Sequence, residues 1–470
     1  MEEIKTQILD THLERKLGGF STIIIVVANM IGTGIFTTSG LLAAQLPGPG
    51  WVLLCWLFGG LIAIAGALCY AELATRMPEA GGEYLYLKKL YHPALGFLAG
   101  WTSLIVGFSA PIAAAAMGFS EYIYAGLDAH LFHLGPGQLV VFNKGLAVSV
   151  IMIFTALHYL GLRLGSRVQN VLTVIKILIV AGLATLGMIF GNGSGPVLSL
   201  EGGEASGIMA VGTAMMFVMF AYSGWNAASY LAGEVRNPGK TLPRSLLLGA
   251  GSVVLLYLAV NLVFAYAVPL ENVGFADGKV HPTQVPQLAV ENLFGARASN
   301  VFSVLLGLTF LATVSAFIIT GPRVYYAMAR DGLFPSIAGR TSPRAGVPTY
   351  AMVLQSVCAV VILFVMDFQD LYQYAAVGLS LFALLFIGAV YVLRWRRPEM
   401  ERPFRVPGYP VVPAIFMAVT LFMAVFAFQQ WRTPSLLSVG SILLGIPVYY
   451  IWTFIRRRPG TTIEAGRSVD

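Results

Sequence analysis

The chain has 470 residues, of which 57% are hydrophobic and only 11% charged, whereas a typical soluble domain carries roughly 25% charge. Its net charge is +7, from 29 Lys and Arg against 22 Asp and Glu. With long, uninterrupted apolar runs, this composition excludes a soluble enzyme, a nucleic-acid-binding module, a disulfide scaffold and a disordered chain, and it indicates an all-α polytopic membrane protein.

The N-terminus, Met1-Glu2-Glu3-Ile4-Lys5, is polar and has no apolar signal-peptide core, so the first apolar run is expected to direct insertion. A spanning helix needs about 20 mainly apolar residues. Twelve such runs follow in order, at 20–42, 51–75, 95–126, 145–163, 168–191, 207–233, 245–268, 300–322, 350–366, 371–393, 411–429 and 437–455. The third is long enough to include an interfacial turn, and 350–366 and 411–429 are short. None alternates in the manner of a membrane β-barrel strand. The three cysteines, Cys55, Cys69 and Cys358, lie inside apolar runs without CxxC spacing and read as small core residues.

The basic residues sort by loop. The two tails and the loops that share their side hold 24 Lys and Arg, and the opposite loops hold 4. Positive charge collects on the cytoplasmic side, so both termini are expected in the cytoplasm: a tail at 1–19 and another at 456–470. The rule accounts for the basic surplus, and no nucleic-acid partner is expected.

Span 1 carries Met30-Ile31-Gly32-Thr33-Gly34 near its middle, and span 6 carries Phe220-Ala221-Tyr222-Ser223-Gly224-Trp225-Asn226 near its own. Glycine clusters also serve close helix packing. Here, however, they occupy matching positions in two helices five spans apart, which run in opposite directions. This is the signature of an inverted repeat whose first helices are broken. The expected architecture is therefore five helices over 20–191, five inverted over 207–393, and two additional helices over 411–455.

Broken helices bind charge. An exposed helix N-terminus carries about +0.5 charge and a C-terminus about −0.5, which suits the carboxylate and ammonium of an α-amino acid. The carboxylate is expected on the amides of Gly32, Thr33 and Gly34 with the Thr33 hydroxyl. The ammonium is expected among carbonyls near Met30, Ile31, Phe220 and Ser223. Glycine leaves the backbone open to approach, and no charged side chain lies at the centre of either span.

Lys176 is the one charged residue well inside a span, and an intramembrane ionisable residue suggests function. The alternative is a lysine that snorkels to a cytoplasmic vestibule. Glu72 and Glu121 lie near helix ends and read as interfacial or capping carboxylates, and His158 reads as a core histidine. His130 and His133 stand three apart in an outer loop without further ligands. No metal cluster, Ser–His–Asp set or phosphate loop appears, so neither an enzyme, a metal site nor a cofactor is expected.

In order along the chain, Ile31-Gly32-Thr33-Gly34-Ile35-Phe36, Ala67-Leu68-Cys69-Tyr70-Ala71-Glu72-Leu73, Gly81-Gly82-Glu83-Tyr84, Arg167-Val168-Gln169-Asn170, Phe220-Ala221-Tyr222-Ser223-Gly224-Trp225-Asn226 and Glu234-Val235-Arg236-Asn237-Pro238 form a recognisable series. It continues with Ala327-Met328-Ala329-Arg330-Asp331-Gly332 and Arg402-Pro403-Phe404-Arg405-Val406-Pro407-Gly408-Tyr409-Pro410. Over about residues 15–455 the chain resembles the amino acid–polyamine–organocation (APC) superfamily, in particular its L-type branch.

The resemblance implies the LeuT-like inverted-repeat fold and a central site where spans 1 and 6 unwind. It places substrate contacts on Met30, Ile31, Gly32, Thr33, Gly34, Phe220, Ala221 and Ser223, with Phe220 as an aromatic gate and Trp225 and Asn226 shaping the side-chain pocket. It also implies that Lys176 bridges span 1 near Gly32 to span 8 near Ser315, in place of a sodium ion. Such a lysine either stays charged and locks the bundle, as in an exchanger, or loses its proton during the cycle, as in a proton symporter.

The cationic branch tends to carry an acid a few residues past a Gly-Trp in span 3. Here Gly100-Trp101 is followed by Thr102-Ser103-Leu104-Ile105-Val106-Gly107, which favours neutral amino acids. Residues 127–144 lack the cysteine through which light-chain-type exchangers bond a glycoprotein, so no disulfide-linked partner is expected. The overall expectation is a sodium-independent secondary transporter of neutral L-amino acids in the cell membrane. A cationic amino acid or polyamine permease is the alternative, and a channel or nutrient receptor on the same scaffold is the rival of a different class.

Overall fold

A computed structural model describes residues 15, 17–79, 81–127, 134–190, 198–200, 208–268, 284–342, 346–366 and 368–457. The outer-loop His130 and His133 and most of both tails lie outside the described residues. The helices, in chain order, are α1 (Gly19–Met30), α2 (Gly34–Ala43), α3 (Pro49–Arg76), α4 (Glu83–Leu90), α5 (Pro93–Thr102), α6 (Ala110–Gly126), α7 (Pro136–Tyr159), α8 (Leu162–Phe190), α9 (Ile208–Ala221) and α10 (Ala227–Tyr230). They continue with α11 (Pro238–Ala267), α12 (Gln284–Phe294), α13 (Ala296–Thr320), α14 (Pro322–Arg330), α15 (Thr349–Val365), α16 (Phe368–Arg396), α17 (Val411–Gln430), α18 (Arg432–Leu443) and α19 (Gly445–Arg457). Among the described residues, β pairing is limited to an isolated bridge between Leu17 and Val235.

Among the described residues, ten helical stretches are long and apolar enough to cross a bilayer, and Ile208–Ala221 and Thr349–Val365 are shorter apolar helices. The chain is a multi-pass membrane protein. Its outward faces carry exposed Val141, Met152, Ile153, Leu178 and Leu255, side chains suited to lipid, while the backbone polar groups are satisfied inside each helix.

Proline sets many of the starts. Pro49, Pro93, Pro136, Pro238 and Pro322 stand in the first turns of their helices, where the missing N–H costs nothing. At α7 this start comes nine residues before the apolar run begins at 145. Lys144 falls inside the helix, and its Nζ lies 5.6 Å from the centre of the Phe364 ring, close enough for a cation–π contact. α8 likewise starts at 162 rather than 168.

The third run contains no interfacial turn. α5 and α6 are joined by a π-helical segment over Ser103–Ser109, in which the Ala110 amide donates to the Ile105 carbonyl. The wide turn keeps Pro93–Gly126 continuous. Run 411–429 forms the full-length helix α17, and the last run begins earlier than expected, at Arg432.

The core is built around α3, α6, α11 and α13. α11 packs on α3 and α1, and α13 packs on α6 and α8. Glu72, with no exposed surface, accepts from Arg394 Nε at 2.9 Å and Nη2 at 2.6 Å and from the Val406 amide at 2.7 Å. It is not a helix cap. It ties α3 to α16 and to the segment before α17. Arg394→Ala strands this carboxylate, and breaking such a pair costs about 3–5 kcal/mol. A clear fall in the unfolding temperature in detergent is expected, and an unchanged value would count against the assignment.

Candidate functional site

Both glycine clusters break their helices. α1 ends at Met30, Ile31 turns extended (φ −73°, ψ 96°), and helix resumes at Gly34. α9 ends at Ala221, turns occupy 222–226, and α10 begins at Ala227. Glycine is the poorest helix former after proline, and Gly224 adopts φ +98°, which L side chains rarely reach.

The two breaks face each other. α2 lies beside α9 and α10 lies beside α1, so the first half of each broken helix sits against the second half of the other, and the two run antiparallel. The approach is close: a Cβ on Gly34 would lie 2.5 Å from Ala221 Cα, and one on Gly224 would lie 2.5 Å from the Asn29 carbonyl oxygen. Gly32 has room, since the nearest atom to a Cβ there is Thr313 Cγ2 at 3.7 Å.

Tyr257 of α11 spans the junction. Its hydroxyl donates to the Met30 carbonyl at 2.8 Å and approaches the Ala221 carbonyl at 3.4 Å. The Ile31 carbonyl is also engaged, by Lys176 Nζ and by the Thr313 hydroxyl at 3.2 Å. The carbonyls of Met30 and Ile31, expected to meet the ligand ammonium, are thus occupied by protein donors.

Lys176 has no exposed surface. Besides Ile31 O, its Nζ donates to Thr313 Oγ1 at 2.7 Å and to Ala28 O at 3.3 Å. Helical spacing explains the burial. Gln169, Thr173, Lys176 and Val180 share the inward face of α8, while Val171, Val174, Ile175 and Leu178 are exposed. The span-8 partner is therefore Thr313. Ser315 lies two residues on, about 200° around the helix, and bonds His158 Nε2 at 2.9 Å.

A cavity opens beside the breaks, with about 990 Å³ of empty space that includes the open solvent at its mouth. Phe220, Ser223, Trp225 and Asn226 line it, together with Asn29, Ser103, Phe108, Phe317 and Phe416. Met30, Ile31, Gly32, Thr33, Gly34 and Ala221 are not among its lining, and neither are Lys176 and Ser315. Among the described residues, no acceptor is found for the Thr33 and Gly34 amides. The Phe220 ring lies 4.1 Å from that of Tyr372, and the Trp225 ring 4.8 Å from that of Tyr70.

The wall also holds the acid of the Gly81-Gly82-Glu83-Tyr84 motif, to which the sequence alone assigns no role. Glu83, at the start of α4, lines the cavity, with Asn226 Nδ2 donating to its Oε1 at 2.7 Å and the Tyr70 hydroxyl donating to the same oxygen. Beyond this point the chain is pinned. Glu234 pairs with Arg323 at 3.3 Å, and Leu17 exchanges backbone bonds with Glu234 and Arg236.

Comparison with known proteins gives one family. A family model described as amino acid permease matches residues 17–453. The b(0,+)-type amino acid transporter 1 of Mus musculus is 30% identical over 462 residues, covering 96% of this chain and 90% of that protein. Its Homo sapiens counterpart is 31% identical, covering 94% and 88%. The large neutral amino acids transporter small subunit 2 of Homo sapiens is 27% identical, covering 95% and 82%.

Proposed function

The chain belongs to the amino acid permease family, and from that premise we propose that this amino acid transporter carries neutral L-amino acids across the cell membrane by alternating access. In this reading the described helices make twelve spans, an inverted five-plus-five repeat with two additional helices, and both termini are cytoplasmic. Transport is sodium-independent, and it runs by exchange or with protons. No partner is attached through a disulfide, since residues 127–144 contain no cysteine.

The observation that carries the reading is the antiparallel meeting of two broken helices beside a cavity. The amides of Thr33 and Gly34 offer donors for a carboxylate at the start of α2. With the Met30 and Ile31 carbonyls engaged, the ammonium falls to the span-6 side, near Phe220 and Ser223. The indole of Trp225 and the ring of Phe220 then surround the substrate side chain.

Lys176 places an ammonium against the first break, which supports sodium independence, because a second cation there would be repelled. Neutral substrates fit because the one acid lining the cavity among the described residues, Glu83, already accepts from Tyr70 and Asn226.

Uptake into proteoliposomes tests this. Labelled neutral and basic amino acids are offered with and without internal amino acid, with sodium present or absent. Neutral substrates should enter without sodium; basic substrates entering faster would favour a cationic permease. Gly32→Ala is the informative variant, since its Cβ has space. It should raise KM about tenfold while leaving the unfolding temperature unchanged, about 1.4 kcal/mol of lost contact. An unchanged KM would remove the carboxylate from this backbone.

A further inference from the structure

Glu83 sits where three separate pieces of chain converge: α3, which supplies Tyr70; its own α4; and the stretch just past the second break, which supplies Asn226 and Tyr230. The side chains of Tyr70, Asn226 and Tyr230 donate to its carboxylate, Asn226 at 2.7 Å. All three are neutral, and Glu83 is only 7% exposed.

The charged groups on the surrounding elements are turned elsewhere. On α3, Glu72 faces Arg394 of α16, and Arg76 donates to the Met400 carbonyl. On α4, Lys88 pairs with Asp331, and Lys89 pairs with Glu79 in the loop before it. Past α10, Glu234 pairs with Arg323 of α14, whose Arg330 lies at its exposed end. Arg396 of α16 donates to the Leu90 carbonyl. α5 carries no charged residue, with His92 at its cap. Tyr84 of α4 donates to Asp331, and Tyr86 of α4 and Tyr325 of α14 are further titratable groups nearby. Glu83 is thus a cavity-lining carboxyl with no cationic partner among the described residues.

We propose that Glu83 is a proton-binding site filled and emptied in each transport cycle, protonated while the end of the cavity at α4 is closed and deprotonated when that end opens. Rocking the second broken helix outward draws Asn226 and Tyr230 away from α4 and lets water reach the carboxyl. The O–H bond formed with a proton from cavity water then breaks to water on the cytoplasmic side. The inference rests on the alternating-access reading above.

Electrostatics gives the direction. Burial raises this carboxyl from its ordinary 4.5 to about 7, with the bonds from Tyr70, Tyr230 and Asn226 pulling it back. Once hydrated, it returns toward the ordinary value. Closure therefore takes up a proton, is favoured as pH falls below about 7, and loses that contribution as pH rises through 7. A proton bound in the closed form and released to the cytoplasm would accompany the substrate inward.

The test compares wild type and Glu83→Gln in proteoliposomes from pH about 5.5 to about 8.5, with and without an acid-outside gradient. Wild-type uptake should change several-fold around pH 7 and accelerate with the gradient, and whatever uptake the glutamine variant retains should show neither effect. Tyr70→Phe, which removes a donor to the ionised form, should move the midpoint upward; it keeps the test valid should the glutamine variant misfold. A glutamine variant with the wild-type pH profile, or a wild type flat in pH, overturns the proposal and leaves amino acid transport standing. Absence of any wild-type uptake at every pH would instead sink the transport reading and this inference together.

Discussion

Lys176→Ala should reduce transport at least about a hundredfold, because its ammonium makes charge-assisted bonds to Ile31 O and Thr313 Oγ1, each worth about 1.5–3 kcal/mol. Without it, the extended turn at Ile31 loses its hold on α13, and the first break is free to collapse or drift. The neighbours grade the effect. Thr313→Val should cost roughly tenfold, from one bond of about 1–1.5 kcal/mol. Ser315→Ala should stay near wild type, since its hydroxyl faces His158. Initial uptake rates normalised to folded protein check all three. A Lys176→Ala protein with full transport would leave this lysine without a part in transport.

Gly224→Ala is expected to abolish transport and lower the yield of folded protein. At φ +98° an L side chain is strained, at about 1–2 kcal/mol. The new Cβ would also sit 2.5 Å from the Asn29 carbonyl oxygen and 3.0 Å from the Met30 amide, backbone atoms that cannot swing aside. Overpacking of this kind adds about 1–3 kcal/mol. Gly34→Ala should behave similarly through Ala221, so a bulky residue at 34 reports on packing before it reports on ligand. Comparison with Gly32→Ala separates the two: a folded, fully active Gly224→Ala protein would mean that the broken helices do not meet this closely.

The breaks were legible in the sequence because their cause is local. Two glycines within three residues at 32–34, and Ser223-Gly224 in an otherwise apolar run, weaken helix whatever packs around them. The inward face of Lys176 was legible too, from charge inside an apolar run. Its partner was not: choosing Thr313 over Ser315 requires the rotational register of α13 against α8, which depends on tertiary packing. The occupied carbonyls of Met30 and Ile31 were hidden for a related reason, since Tyr257 lies over 200 residues away in the chain.

The role of Glu83 is hidden in the sequence on different grounds. It falls between two apolar runs, where an acid ordinarily meets water, and only the folding of α4 back against the cavity buries it. A cue was present in Gly81-Gly82, both at positive φ, where a Cβ on Gly82 would lie 2.5 Å from the Tyr230 ring. These glycines let α4 approach the second broken helix closely enough for Asn226 to reach the carboxylate.

The π segment at Ser103–Ser109 bears on how such a transporter can diversify. A π turn holds one residue more than the α turn it replaces, and Ser103, Gly107 and Phe108 of this turn line the cavity. Losing a single codon there would swivel that wall and restore ordinary helix, while α5 keeps its seat on α4 and α6 its seat on α13. Substrate preference could then be reset through a change in length confined to one wall, with the rest of the scaffold inherited intact.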